Sequence, residues 1–248
     1  MTGRRPDLAR LQDPSPARVR GAIQRRWFEH QLSRVPLRET SGLVELGSAY
    51  GGWIIPGELV GPSWICYTVG AGGDVSFDLD LIRRYGVTVR AFEAVAGYVE
   101  DAIEAAGDEP ALSVHQAAIT TTDGPLRMQV THDPGSRSVS SSGLYKSREY
   151  VELPGRTLPS LMREMGDDHI DLLKLDIEGS EYDVLPKLDL PALGVKVFSV
   201  QLHHTGSVRS ARELIGQLAA SGYEPVACRP VVKITFVQRD LLSADGRR

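Results

Sequence analysis

The sequence predicts an α/β protein built on a Rossmann-like, doubly wound and mostly parallel sheet with an antiparallel edge. Three observations predict it. From residue 64 onward, short apolar and β-branched runs alternate with segments of helical spacing, the pattern of βαβ units. The first such run ends in a glycine-rich turn and passes directly into a helical segment. The last two runs, Tyr223–Ala227 and Val232–Gln238, have no helix between them, so they are expected to close the sheet as antiparallel strands.

Taken in order, the Arg- and Pro-rich residues 1–20 read as a loose basic arm. Val19–Val35 has helical spacing, with Ile23, Trp27, Phe28 and Leu32 on one stripe. That stripe is either core or a homodimer contact. Residues 42–62, with Tyr50, Gly51, Gly52, Trp53 and Pro56, read as a packed loop. The parallel strands are expected at Trp64–Val69, Val87–Phe92, Ala111–Thr120, Ile170–Leu175 and Val195–Leu202. Helices are expected at Phe77–Tyr85, Gly97–Ala106, Leu158–Met165, Tyr182–Leu188 and Ala211–Ser221, with a hairpin strand at Leu126–Val130 and a polar loop over His132–Arg148. The chain thus divides into an N-terminal arm and helical/loop extension, 1–60, and a principal domain, 61–248.

Composition narrows the class. With 248 residues and 42% hydrophobic content the chain can bury a full core. A net charge of −4 gives no general attraction to nucleic acid. No run approaches the ~18 apolar residues of a membrane span, and the Arg-rich start lacks an apolar signal core. Cys66 and Cys228 are far apart and stand in no metal-binding spacing. The expectation is a cytoplasmic protein with reduced thiols and no nucleic-acid or membrane partner.

Sheets of this kind bind ligands beyond the carboxyl ends of their strands. The first strand ends in Gly70-Ala71-Gly72-Gly73-Asp74, where small residues admit a ligand to the backbone and the following helix favours an anionic group. One strand later, Glu93 and Ala94 place a carboxylate at the distance from which an acid reaches a ribose diol. Gln116 and Ala117 of the third expected strand belong to the same set. The third glycine of a dinucleotide fingerprint is replaced by Val75. A nucleoside without a pyrophosphate, such as S-adenosylmethionine (SAM), therefore fits better than NAD. These residues, with Asp176, form the expected cofactor-binding set.

The segment from Asp171 to Glu181 carries the densest signal. Leu172, Leu173 and Leu175 make a buried strand that also contains Lys174, and a buried ammonium is costly unless compensated. Asp176 and Glu178 follow at the strand end, where a ligand crevice belongs. Gly179 permits the turn into a helix, and Glu181 reads as an acid capping that helix.

This run, Ile170-Asp171-Leu172-Leu173-Lys174-Leu175-Asp176-Ile177-Glu178-Gly179-Ser180-Glu181, resembles the signature of the FkbM-type SAM-dependent methyltransferases. The resemblance extends back through Thr157-Leu158-Pro159-Ser160-Leu161, Phe92-Glu93 and Val69–Asp74, and forward to Ser199–His204. In two places the sequence differs from the pattern. Asp74 follows the glycines instead of an acid preceding them, and Gln201 stands where the pattern carries an acid.

The resemblance implies a class I SAM methyltransferase fold and O-methylation of a hydroxyl on a sugar or secondary metabolite, so the expected partner is a small-molecule or glycan acceptor. Such a transfer requires in-line alignment and removal of the hydroxyl proton. Asp176 is the first candidate base, His203 or His204 the second, and Lys174 completes the catalytic set. Alternatively, Asp176, Glu178 and His203 hold a Mg2+ ion that acidifies the hydroxyl. The Ser-rich loop Ser136–Ser142, with Arg137, Lys146 and Arg148, is placed to fold over the acceptor. The competing reading is a SAM-binding but catalytically inactive domain that serves a partner.

Overall fold

The computed structural model describes residues 16–131, 138–142 and 148–243. Residues 1–15 of the expected basic arm lie outside this range. Helix α1 (Pro16–Leu32) leads to an antiparallel hairpin of β1 (Leu43–Leu46) and β2 (Trp53–Pro56). The main fold then opens with β3 (Ile65–Val69), α2 (Ser76–Tyr85), β4 (Thr88–Glu93), α3 (Ala96–Ala106) and β5 (Leu112–Gln116). Four short strands are inserted next: β6 (Ala118–Ile119), β7 (Gly124–Val130), β8 (Val139–Ser140) and β9 (Tyr150–Arg156). The main fold resumes with α4 (Leu158–Met165), β10 (Leu172–Leu175), α5 (Glu181–Val184), β11 (Val197–Gln201), α6 (Val208–Ala220), β12 (Tyr223–Arg229), β13 (Lys233–Gln238) and α7 (Arg239–Ser243).

The principal sheet has seven strands in the order β12-β13-β11-β10-β3-β4-β5. The five from β11 to β5 are parallel, and β13 runs antiparallel to both of its neighbours. The chain winds from β3 outward to β5, then returns to β10 and winds the other way to β11. The direction of winding therefore switches between β3 and β10, which opens a crevice at their carboxyl ends.

Burial explains why the strands read as near-continuous apolar runs. Leu173 and Leu175 of β10 join one cluster with Tyr67, Val69, Phe198 and Phe236. Leu172 joins the cluster on the opposite face with Cys66, Val197 and Val237. The two-residue period of a strand puts Lys174 on the Leu172 side, where Trp53 and Ile55 of β2 also pack. Caps fix the helices: the Thr157 hydroxyl accepts from Ser160 N at the start of α4, and Gly166 takes a left-handed conformation at its end. Ser207 caps α6 in the same way.

Several expected elements change. Residues 42–62 are not a loop, because β1 and β2 pair within them. The run Ala111–Thr120 is two strands in two sheets, β5 in the principal one and β6 in a four-stranded sheet of order β6-β9-β7-β8. That smaller sheet includes β9, which the sequence reading omitted, and β8, which lies inside the expected polar loop. The stripe on α1 is split: Phe28 and Leu32 enter the core, whereas Ile23 and Trp27 are exposed. Among the described residues no helix is long and apolar enough to cross a membrane. Both cysteines are free thiols.

Candidate active site

The strand registers bring six residues to one level across the crevice. Val69 stands opposite both Phe92 and Leu175, and Leu175 opposite Val200. One residue further on, Glu93, Gly70, Asp176 and Gln201 therefore share a row. The row is extended by Gln116 opposite Glu93 and by Lys233 opposite Gln201. A cavity of about 470 Å³ opens above it, within the size range of small-molecule and cofactor sites.

The glycine turn holds the middle of the row. Gly70 has φ +76°, and a Cβ there would lie 1.8 Å from the Asp176 carbonyl oxygen. The two central strand ends can approach this closely only because Gly70 has no side chain. Gly72, at φ +60°, would direct a Cβ into open space. Its N–H donates to Glu93 Oε2 at 2.9 Å, while Val95 N–H donates to Oε1 at 2.9 Å. Each carboxylate oxygen keeps a second lone pair for a ligand hydroxyl. Beside Glu93 the wall is apolar, formed by Ala117, Ile119 and Met128. A cradle of small residues, an acid fixed at the next strand end and an apolar wall fit a nucleoside.

Lys174 is buried but compensated. Its ammonium donates to the Gly70 carbonyl at 2.9 Å and lies 5.8 Å from the centroid of the Trp53 ring. Asp78 and Asp74 supply the countercharge. Burial pushes the Asp78 carboxyl up, against the pull of Lys174 and of a hydrogen bond from Thr68. Burial also pushes Asp74 up, but hydrogen bonds from Ser48 and Ser76, with the charge of Lys174, outweigh it and leave that carboxyl below its usual range. The Ser48–Asp74 bond, at 2.6 Å, ties the hairpin turn to the glycine turn.

On the other side of Asp176 lies a cluster of three carboxylates around one imidazole. His203 Nδ1 donates to Glu181 Oε1 at 2.8 Å. Its Nε2 lies 3.8 Å from Asp176 and 3.5 Å from Glu178. Burial pushes the imidazole down, but Glu181, by charge and hydrogen bond, and then Asp176 and Glu178 push it further the other way, up to about 9. The three carboxylates thus favour the imidazolium form, which donates from both nitrogens. The Gln201 amide nitrogen lies 3.1 Å from Nε2, so a proton on Nε2 requires the amide to turn over and present its oxygen. Glu178 has φ +51°, a strained conformation of the kind that clusters at functional sites.

Most of the expected residues meet in this crevice. Gly70, Ala71, Gly72, Asp74, Glu93, Ala94, Ala117, Lys174, Asp176 and Glu178 all line the cavity. Gly73 instead backs onto Asp101 of α3. Gln116 is exposed and donates to the Ala94 carbonyl. His203 stands behind Asp176 and Glu178, and His204 is exposed. Asp176, Glu178 and His203, the expected metal ligands, place their donor atoms within 4.8 Å of one another. Ser138 and Val139 line the cavity, and the Ser140 hydroxyl donates to the Glu178 carbonyl. Ser136, Arg137 and Lys146 lie outside the described residues.

Two groups were missed by the sequence reading. Glu181, read as a helix cap, is fully buried and holds His203. Tyr50, Trp53, Arg229 and Lys233 form the wall opposite Glu93. The one signal for that wall is Lys233 itself, a charge that opens an otherwise apolar closing strand.

The model of the methyltransferase FkbM domain family matches residues 69–225. A search of curated proteins finds no match. Among solved structures, the Methanococcus jannaschii fibrillarin pre-rRNA processing protein is similar at a TM-score of 0.45 and 9% identity, over 83% of this chain and 86% of that one. M. capricolum TrmK, in complex with S-adenosyl-homocysteine (SAH), is similar at 0.38 and 11%, over 73% of this chain and 65% of that one. The precorrin-6y C5,15-methyltransferase of Geobacter metallireducens GS-15 is similar at 0.41 and 10%, over 73% and 80%.

Proposed function

Since this chain belongs to the FkbM methyltransferase domain family, we propose that it transfers a methyl group from SAM to a hydroxyl of a sugar or secondary metabolite. The observation that carries this reading is the row Glu93, Gly70, Asp176 across the switch in the sheet. It sets Glu93 and Asp176 on either side of a turn too tight for any residue but glycine, which supports reading them as the ribose-binding acid and the proton acceptor.

When bound, SAM supplies an electrophilic methyl group on a sulfonium centre. Glu93 is oriented for the ribose diol by two backbone N–H groups. Ala117, Ile119 and Met128 offer a flat apolar surface for the base. Asp176 takes the proton from the acceptor hydroxyl. The carboxylates around His203 favour its protonated form, which leaves Asp176 as the acceptor of the proton. The task of His203 is to hold Asp176 and Glu178 in place, and Glu181 positions the imidazole in turn.

The test is a calorimetric titration with SAM and SAH, with NAD as control, followed by mass spectrometry of a panel of hydroxylated acceptors. SAH binding that Glu93→Ala weakens by about tenfold or more is expected, since a charged hydrogen-bonding partner is lost. Failure of the wild-type protein to bind SAH overturns the reading. SAH binding with no methylated product from any acceptor favours the inactive, partner-binding alternative.

A further inference from the structure

We infer that Lys233 gives the far wall of the cleft a seat for a negatively charged group, so that the acceptor is an acidic sugar or a similarly charged polyol. The inference rests on the function proposed above and narrows its acceptor class.

Lys233 is the first residue of β13, and its side chain is buried. Its ammonium donates to the Tyr50 carbonyl at 3.0 Å and lies 4.8 Å from the centroid of the Trp53 ring. An ammonium has three N–H donors, so one hydrogen bond leaves two for a ligand. No carboxylate lies within ion-pair distance of it among the described residues. Burial lowers its affinity for the proton, with Lys174 and Arg229 adding to the effect and Asp176 and Asp74 offsetting part of it from a distance. Trp53, which also lines the cavity, has a buried Nε1–H without a hydrogen-bond partner among the described residues.

Anchoring the hairpin does not by itself require a charge here. Thr235, two residues on, holds the Ile54 carbonyl with a neutral hydroxyl at 2.6 Å. Arg229 holds the Gly52 carbonyl and is neutralised by Glu45 at 2.7 Å. Lys233 is the cation of this wall that has no such partner. The next two residues back, Val231 and Val232, have φ of +58° and +59°, and β-branched residues rarely adopt that conformation. This strained turn brings the chain round so that Val231 and Lys233 both line the cavity.

Position assigns the seat to the acceptor. Glu93 and Lys233 share the row but are four strands apart, about 19 Å at the usual 4.8 Å spacing. The donor reaches about 9 Å from ribose to carboxylate, at roughly 3.6 Å for every three extended bonds, so its own carboxylate meets Lys233 only when both side chains reach along the row, and SAH affinity in a Lys233 variant separates the two seats. Asp176 and Lys233 are two strands apart, about 10 Å, a span that one charged sugar ring bridges when a side chain meets it from each end.

The test titrates SAH-saturated wild-type protein with glucuronate and, as its neutral counterpart, glucose. Glucuronate is expected to bind about tenfold tighter or more, the usual worth of a charged hydrogen bond. Lys233→Gln keeps an N–H for the Tyr50 carbonyl and removes the charge. It should abolish the preference and leave SAH affinity within about twofold. Equal binding of the two sugars, or no binding of either, by the SAH-loaded wild type overturns the inference. So does a preference that survives in Lys233→Gln, or an equal loss of SAH affinity, which would make the ammonium a donor contact. The wild-type comparison decides the matter even if the variant does not fold. Absence of SAH binding, by contrast, refutes the methyltransferase reading itself.

Discussion

Glu181 Oε1 accepts hydrogen bonds from His203 Nδ1 at 2.8 Å and from the backbone N–H groups of Ile177 and Gly179 at 3.3 Å each. One buried oxygen thus fixes both the turn that carries Glu178 and the imidazole behind it. The other oxygen, Oε2, is buried without a hydrogen-bond partner among the described residues, so the carboxylate depends heavily on the charge of His203.

That dependence has a pH signature. The imidazole is raised from 6.5 to about 9 on folding. Its contribution is therefore fully present below pH 6.5 and is lost as pH rises through about 9. His203→Gln should be less stable than wild type at pH 6 by about 3 kcal/mol, since each tenfold gain in proton affinity on folding is worth about 1.4 kcal/mol. Denaturant melts should show the gap closing between pH 7 and 10. A gap that is constant with pH would mean that His203 is not charged in the folded protein.

Gly70 and Gly72 should respond differently to a single methyl group. Gly70→Ala drives its Cβ into the Asp176 carbonyl and should cost about 2–6 kcal/mol from backbone strain and overpacking together. Gly72→Ala meets nothing within 4 Å and should cost about 1–2 kcal/mol for the left-handed backbone alone. Thermal melts of the two variants check this. Similar losses would mean that the strand ends are further apart than described.

Asp176→Asn should lower the rate of methyl transfer by about 10²–10⁴, the usual worth of a positioned base, and any loss of SAH affinity measures its share in holding the donor. Turnover and calorimetry on the same preparation separate the two effects. An Asn variant with wild-type turnover would remove Asp176 from the chemistry.

Methyl transfer should persist in EDTA. His203 Nε2 already faces Asp176 at 3.8 Å and Glu178 at 3.5 Å, contacts that a metal ion held by the three would have to displace. Activity lost in EDTA and restored by Mg2+ would show that the three side chains act instead as a metal site.

Much of this site is legible in the sequence because the parallel strands are buried on both faces. Leu172-Leu173-Lys174-Leu175 cannot be mistaken for a surface segment, and the acids that follow fall at the crevice by topology alone. The remainder is hidden for identifiable reasons. The hairpin strands have only four residues each, with Gly47, Gly51 and Gly52 between them and Pro56 ending the second, so turn chemistry masks the pairing. β9 contains Pro154 and Gly155, which argue against a strand in any sequence reading. β6 follows β5 after a single residue, Ala117, and nothing local signals the change of sheet. Glu181 has the right type and place for a helix cap, and only the fold reveals that it is buried against His203. Lys233 gains its meaning from register, because an antiparallel strand begins where its parallel neighbours end.

The far wall has a consequence for the order in which the molecule assembles. Arg229, Lys233 and Thr235 grip the backbone of residues 50–54 across 177 to 183 positions of sequence. Contacts so distant along the chain form late, since a long loop must close before they return any stabilisation. On the ribosome the glycine turn, Glu93 and Asp176 emerge and can pack well before Lys233 has been made. A nascent chain can therefore carry Glu93 and Asp176 at the crevice while Trp53 is still exposed, and synthesis of β13 is the step that fixes the hairpin as its far wall.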